Sequence, residues 1–248
     1  MQLLPQLHLI AGLLVLALVT AGLARLLGAG LGWQPVWALV RAGVQLAVVA
    51  LLLRGVLAAP YLVLGFVALM LTTASWTSGT RTAGLWRRRR TATAGVLAGA
   101  FVSLGLILAM RLVDWEARYI IAVAGIVIGA AMSAATLSGR RFVQSSIDRR
   151  DELEGWLALG ATPAQAHRDL GRTSVRESVL PNLDQTRSTG LVTLPGAFVG
   201  ALFGGASPLE AANFQLVVLA GVVLAMVVTA GTVTTMAGRT PYLPETPR

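Results

Sequence analysis

Residues 119–137 read YIIAVAGIVIGAAMSAATL, a run without a single charged side chain. A helix rising 1.5 Å per residue needs about 20 mainly apolar residues to cross the hydrocarbon of a bilayer. This run therefore reads as a membrane span. Working outward, six further stretches qualify or nearly do: 7–27, 36–53, 61–80, 91–110, 186–203 and 213–236. The sixth in chain order, 186–203, is interrupted by Leu194-Pro195-Gly196, and a break of that kind inside a membrane must face protein or a cavity. The first stretch lacks a basic leader and a small-residue cleavage site, so it reads as a retained span.

Composition agrees. The chain has 248 residues, 55% of them hydrophobic and only 12% charged, with a mean hydropathy of +0.72. A soluble domain carries about 25% charged residues, so a water-soluble enzyme, a disordered tail and a coiled coil are excluded. There is no cysteine, which removes thiolate metal sites, disulfides and a cysteine nucleophile. Histidine is confined to His8 and His167, and all twenty cations are arginine. A phosphate-binding P-loop needs lysine, so the chain cannot hydrolyse ATP by that route alone. No set of side chains is assigned as metal ligands. The excess of 20 arginines over 11 carboxylates lies between the apolar runs, where it sets membrane orientation rather than marking a nucleic-acid binder.

With seven spans and the N-terminus outside, fifteen arginines fall on the cytoplasmic side: Arg25, Arg81, Arg87 to Arg90, seven in 140–176, Arg239 and Arg248. Three fall outside, Arg54, Arg111 and Arg118. The positive-inside rule then places the C-terminus in the cytoplasm. The expected fold is all-α: a single polytopic bundle over 1–248 with about seven transmembrane helices and a cytoplasmic helical elbow at 138–185. In the elbow a helix leaves the membrane and stops near Leu159, with Gly160 as its C-terminal cap. Thr162 then caps a second helix that has Pro163 at its first position and runs until about Pro181. His167 reads as a solvated elbow side chain.

Glu154-Gly155-Trp156-Leu157-Ala158-Leu159-Gly160 resembles the E-A-A-x-x-x-G coupling loop of ATP-binding-cassette (ABC) permeases, although Gly155 and Trp156 replace its alanines. The following Leu159-Gly160-Ala161-Thr162-Pro163, through Ala166, resembles the S-L-G-A-T-P-x-x-A segment of the iron-export (Fet-type) ABC permease family, which includes plant aluminium-tolerance permeases. Gly190 to Gly196 is similar to that family's V-G-L-V-S-L-P-G, residues 205–215 to its G-x-D-P-x-x-A…Y-Q-I, and Arg41 to Leu46 to its R-A-x-x-Q-L. The resemblance covers about 35–236.

That resemblance implies a membrane permease subunit of an ABC exporter, moving iron or another metal ion out across the inner (plasma) membrane. The chain itself would bind no cofactor and catalyse nothing; ATP and Mg would sit on a separate ATPase subunit, and a second copy of the chain would complete the pathway. Glu154, Trp156, Leu159, Gly160, Ala161, Thr162, Pro163 and Ala166 would couple to the ATPase, and Leu194, Pro195 and Gly196 would form a hinge. Three family positions differ here: Thr77 follows Trp76, Ala130 stands in the fifth span, and Ala197-Phe198 follows the Leu-Pro-Gly. Each change removes an amide or thioether that could touch a cation, so an organic solute such as a nucleotide-sugar is an alternative cargo. A secondary transporter needing no ATPase is the alternative mechanism. No carboxylate falls clearly mid-span, with Asp184 and Glu210 at the margins, which argues against a proton relay.

Arg41 and Gln45 share one helical face at i, i+4. Arg41 admits two readings, lining a path inside the bundle or snorkelling to the headgroups. With Trp76 and Met132 these residues form the expected substrate path. Arg187 reads as an anchor at the cytoplasmic edge of the sixth span. Gly12, Gly22, Gly99, Gly105, Gly125 and Gly129 read as helix-packing positions.

Overall fold

The computed structural model describes residues 3–58 and 61–241; Arg248, counted above with the cytoplasmic arginines, lies outside them. The chain groups into two compact units, residues 1–62 and 63–248. In the first, α1 (Leu3–Leu26) and α2 (Gln34–Ala58) form an apolar helical hairpin. Its connection turns on three glycines with positive φ, Gly28, Gly30 and Gly32. The Arg25 guanidinium lies 4.7 Å from the centre of the Trp33 ring. This unit contains no Asp or Glu at all.

The second unit holds α3 (Leu62–Arg81), α4 (Arg88–Ala109), α5 (Ala117–Asp148), α6 (Arg150–Ala158), α7 (Pro163–Ala166), α8 (Arg168–Ser188), α9 (Gly196–Phe203) and α10 (Pro208–Ala237). Among the described residues the only strand-like pairing is the isolated bridge between Thr189 and Thr193. Six helices, α1 to α5 and α10, are long and apolar enough to cross a membrane. The protein is a polytopic helical bundle.

Its core is the seam between α4 and α10. Ser103 donates a hydrogen bond to the Gly221 carbonyl (2.8 Å), and a Cβ placed on Gly99 would lie 2.0 Å from Thr229 Oγ1 and 2.5 Å from the Ala225 carbonyl oxygen. Gly95 similarly faces Val233. As the numbers rise along α4 they fall along α10, so the two run antiparallel. The close-packing expectation holds for Gly99. Gly12, Gly22, Gly105 and Gly129 have open space where a Cβ would go, and Gly125 meets only the tip of Met70.

Helix α5 runs parallel to α10. Tyr119 meets Phe214 with ring centres 5.6 Å apart, Val127 lies beside Gly221, and Phe142 and Gly238 both touch His167. Two parallel spans require the chain to cross back between them. The expectation was that 186–203 would make this pass, and the structure overturns it. That stretch is not a helix: α8 ends at Ser188, Gly190 adopts φ +90°, and the Gly190 N–H donates to the Thr193 carbonyl (2.9 Å) in a tight loop. Pro195 then caps α9, whose eight residues extend only about 12 Å.

The return pass is α8. It starts where Gly171 faces Thr234, packs Val175, Val179 and Leu183 against Val123, Val127 and Val218 midway, and ends where Gln185 and Thr186 share a cavity with Tyr119 and Phe214. Pro181, expected to stop this helix, lies inside it. Proline forfeits one backbone hydrogen bond, and the continuous apolar contacts on both sides of it outweigh that loss.

Candidate functional site

At one end of α5 the backbone bends at Arg149 (φ −112°, ψ 34°) and continues as α6. Leu153, Ala166 and Leu170 form a small buried cluster that clips α6 to the helices after it. Between them lies a tight turn. The Gly160 N–H donates to the Leu157 carbonyl and the Ala161 N–H to the Trp156 carbonyl, both at 3.0 Å, while Gly160 takes φ +88°. This is the left-handed double closure that ends a helix on glycine. Thr162 then starts α7 with a reciprocal capping box: its N–H donates to Gln165 Oε1 (2.8 Å), and its hydroxyl accepts from the Gln165 N–H (3.4 Å). Pro163 sits in the first turn, as expected.

The turn holds two large apolar side chains out of the bundle. Leu159 is 83% exposed and Trp156 51% exposed. They border a surface groove of about 510 Å³ whose other wall carries Arg168, Asp169 and Arg172. Glu154 points outward and pairs with Arg150 (2.8 Å), whereas Ala166 is buried under the turn. His167 corrects the expectation of a solvated side chain. It is 2% exposed, stacks on Phe142 at 5.5 Å and bonds through Nδ1 to the Pro163 carbonyl (2.8 Å). The elbow is thus keyed through one imidazole onto Phe142 of α5.

The second candidate region is α8 itself. Seven of its 21 residues are charged, yet it packs alongside the apolar helices α5 and α10. Leu170, Ser174, Ser178 and Val179 are buried on its inner face. The opposite face exposes Arg172, Thr173, Arg176, Leu180, Asp184 and Arg187. Glu177 pairs with Arg141 of α5, and Asp184 with Arg187 (3.1 Å). Arg187 therefore sits at the end away from the elbow, level with Arg111 and Arg118, because α8 and not 186–203 makes the crossing. A charged residue mid-membrane costs about 2.5–3.5 kcal/mol even on forgiving scales. Such a face cannot be bathed in lipid tails.

At the end away from the elbow, α8, α9, α10 and the start of α5 enclose a cavity of about 1250 Å³. Asp114, Asn182, Gln185 and Glu210 contribute polar groups, and α9 presents Gly196, Gly200 and Ala201. The Phe198 N–H donates to Gln215 Oε1 (3.2 Å), fixing α9 against α10. Glu210 also closes the capping box of α10, accepting from the Ser207 N–H at 2.8 Å. Among the described residues no three His, Cys, Asp or Glu side chains gather as metal ligands.

Of the expected path residues, two lie in each unit. Arg41 and Gln45 are exposed on α2, in the first unit. Trp76 is exposed on α3 beneath the Arg89 guanidinium, 4.5 Å from its ring centre, and Met132 packs against the core around Leu71 and Phe142. Neither Trp76 nor Met132 borders the large cavity. Leu194 is exposed, and Pro195 and Gly196 form the cavity wall at the head of α9.

The Uncharacterised protein family (UPF0014) matches residues 6–242. The chain belongs to the UPF0014 family. It is 36% identical over 193 residues to the UPF0014 membrane protein STAR2 of Oryza sativa subsp. japonica, covering 77% of this chain and 67% of that one. It is 30% identical over 212 residues to the Protein ALUMINUM SENSITIVE 3 of Arabidopsis thaliana, covering 84% and 77%. To the Probable iron export permease protein FetB of Escherichia coli (strain K12) it is 29% identical over 184 residues, covering 73% and 71%. No solved structure matches it.

Within this UPF0014 protein, sequence reasoning located the turn at Gly160 to Pro163 and a helix after it, but read that helix as part of the elbow and missed that α8 packs along α5 and α10. The signal for α8 was available: Val175, Val179 and Leu183 recur every four residues, opposite a charged face. A search for long apolar runs passes over such a segment.

Proposed function

We propose that this chain is the membrane permease subunit of an ABC exporter, acting as two copies driven by a separate ATPase subunit. The observation that carries the reading is the elbow, a rigid, twice-capped turn that holds Trp156 and Leu159 out beside a charged groove. Exposed aromatic and aliphatic anchors of this kind seat in a partner's pocket. Glu154, Gly160, Ala161, Thr162 and Pro163 set the shape of the contact, and Ala166 fastens it to the bundle. ATP and Mg belong to the partner, and this chain carries no cofactor of its own. The printed name of the Escherichia coli relative supports export of iron or another metal ion.

The elbow end carries Arg81, Arg87 to Arg90, Arg140 and Arg141, and this excess supports a cytoplasmic position for it. The N-terminus is then outside and the C-terminus inside, with α8 as the sixth of seven passes in the inner membrane. ATP-driven closure of the partner biases the bundle between two access states. Leu194, Pro195 and Gly196, between the end of α8 and the head of α9, form the hinge.

One observation favours a second reading, a proton-coupled transporter with no ATPase. Glu177 and Asp184 lie on a helix at membrane depth, where carboxylates form proton relays. The deciding experiment reconstitutes the chain with an ABC ATPase subunit that co-purifies with it and follows efflux of ferrous ion. Efflux that needs ATP and survives a proton ionophore supports the exporter. Efflux from vesicles holding this chain alone, abolished by the ionophore, overturns it.

A further inference from the structure

The turn that joins α3 to α4 carries arginines that no carboxylate answers. Arg81 and Arg87 to Arg90 form no ion pair among the described residues, and the first turn of α4 has no acidic side chain. Arg140 joins them, its Nε donating to the Arg81 carbonyl (2.9 Å). Two of these guanidiniums are laid on indoles, Arg89 on Trp76 at 4.5 Å and Arg87 on Trp86 at 4.6 Å from the ring centres. Neither has a hydrogen-bond partner among the described residues. Stacking fixes the plane of a guanidinium and leaves its N–H edge free, and that edge matches two oxygens of a phosphate.

An arginine excess at the end of a span orients a membrane protein, and such side chains ordinarily snorkel outward to water. Arg89 does the reverse. Its Cα would lie 3.2 Å from a Cβ placed on Gly79, and Trp76 is three residues earlier on α3, about 4.5 Å farther into the span. The guanidinium thus reaches back along α3 toward the membrane interior. Trp76 shares an exposed face with Leu69, Thr72 and Thr73, and both threonine hydroxyls are spent on carbonyls of α3 itself. We infer that Arg89 and Trp76, with Arg87 and the other arginines of the turn around them, bind the phosphate of an anionic phospholipid whose acyl chain lies along this face of α3. A zwitterionic headgroup brings a cation that no carboxylate here can meet, so a lipid of net negative charge is selected. A water-soluble phosphate would gain the guanidiniums but leave the apolar face bare. The site needs only that the chain is in a bilayer, and it stands whether or not an ATPase drives transport.

Lipid quenching of Trp76 tests it. The full chain is reconstituted in phosphatidylcholine vesicles holding an equal, minor fraction of either brominated phosphatidylglycerol or brominated phosphatidylcholine. The Trp76 signal is the emission lost on Trp76→Phe in each background. Brominated phosphatidylglycerol is expected to quench that signal about fivefold more than brominated phosphatidylcholine. Arg89→Gln is expected to abolish the preference and Arg89→Lys to keep part of it, since lysine keeps the charge but not the planar fork. Arg88→Gln, which removes a neighbouring cation outside the two indole stacks, is expected to keep most of it. Equal quenching by the two lipids in the wild type overturns the site. So does an equal loss in Arg88→Gln and Arg89→Gln, which marks a diffuse positive field. Inorganic phosphate that erases the wild-type preference overturns the lipid as the occupant.

Discussion

Two surfaces of this protein flank the same length of α10 and share almost no chemistry. The α4–α10 seam is dry and narrow: glycines at 95 and 99 let the helices approach until Gly99 sits against the Ala225 carbonyl. The outer face of α8 is charged from end to end. The difference teaches that depth does not dictate composition; the neighbour does. Between apolar spans there is no hydrophobic gain over lipid, so close contact comes from small residues and good packing. A helix with protein on one side and water on the other can instead keep a soluble protein's pattern inside a membrane.

The contrast can be tested from both sides. The largest effect is expected at the dry seam. Gly99→Leu forces four carbons into space held by Thr229 and a backbone carbonyl, costing about 3 kcal/mol or more. The purified variant should lose its monodisperse peak in detergent, and retention of wild-type thermal stability would show that the seam is not close-packed.

On the charged surface the expected effects are functional. Arg176→Leu should insert normally and reduce efflux roughly tenfold, because it removes an exposed charge from the outer face of α8. If α8 instead faced lipid, the same change would relieve about 2.5–3.5 kcal/mol, and stability would rise with efflux untouched.

Smaller effects belong to the elbow. Gly160 holds φ +88°, where a β-branched side chain is strained by about 1–2 kcal/mol. Gly160→Val should misdirect the start of α7 and lower permease-stimulated ATP hydrolysis while the protein still inserts and pairs. Unchanged stimulation would reduce the elbow to a structural hairpin. Thr162→Ala removes one side of the capping box and should cost about 1 kcal/mol, seen as a modest drop in melting temperature with coupling preserved.

These regions also differ in how openly the sequence announces them. The elbow is written locally: Gly160, Thr162 and Pro163 each act on the backbone within a few residues, so the turn could be read in advance. The six apolar helices are legible for a similar reason, since each needs only its own composition. α8 is different. Its place beside Val123, Val127 and Val218 is a tertiary fact, and Pro181 together with seven charges argued locally against a crossing. The run at 186–203 looked better by composition, but Gly190 and Pro195 break it into a loop and a short helix. His167 was misjudged in the same way, because its burial depends on Phe142 and Gly238, far away in the chain.

Helix α5 is continuous for 32 residues, from the cavity end to the bend at Arg149, a rod of about 48 Å. Under the proposed coupling it is a lever arm whose handle is the elbow. A tilt of about 10° about the elbow end sweeps the tip near Tyr119 through roughly 8 Å over that length, more than the width of a dehydrated metal ion. On the proposed permease reading, a tilt imposed at the elbow becomes a displacement near Tyr119, and stiffness along α5 sets how much of it arrives.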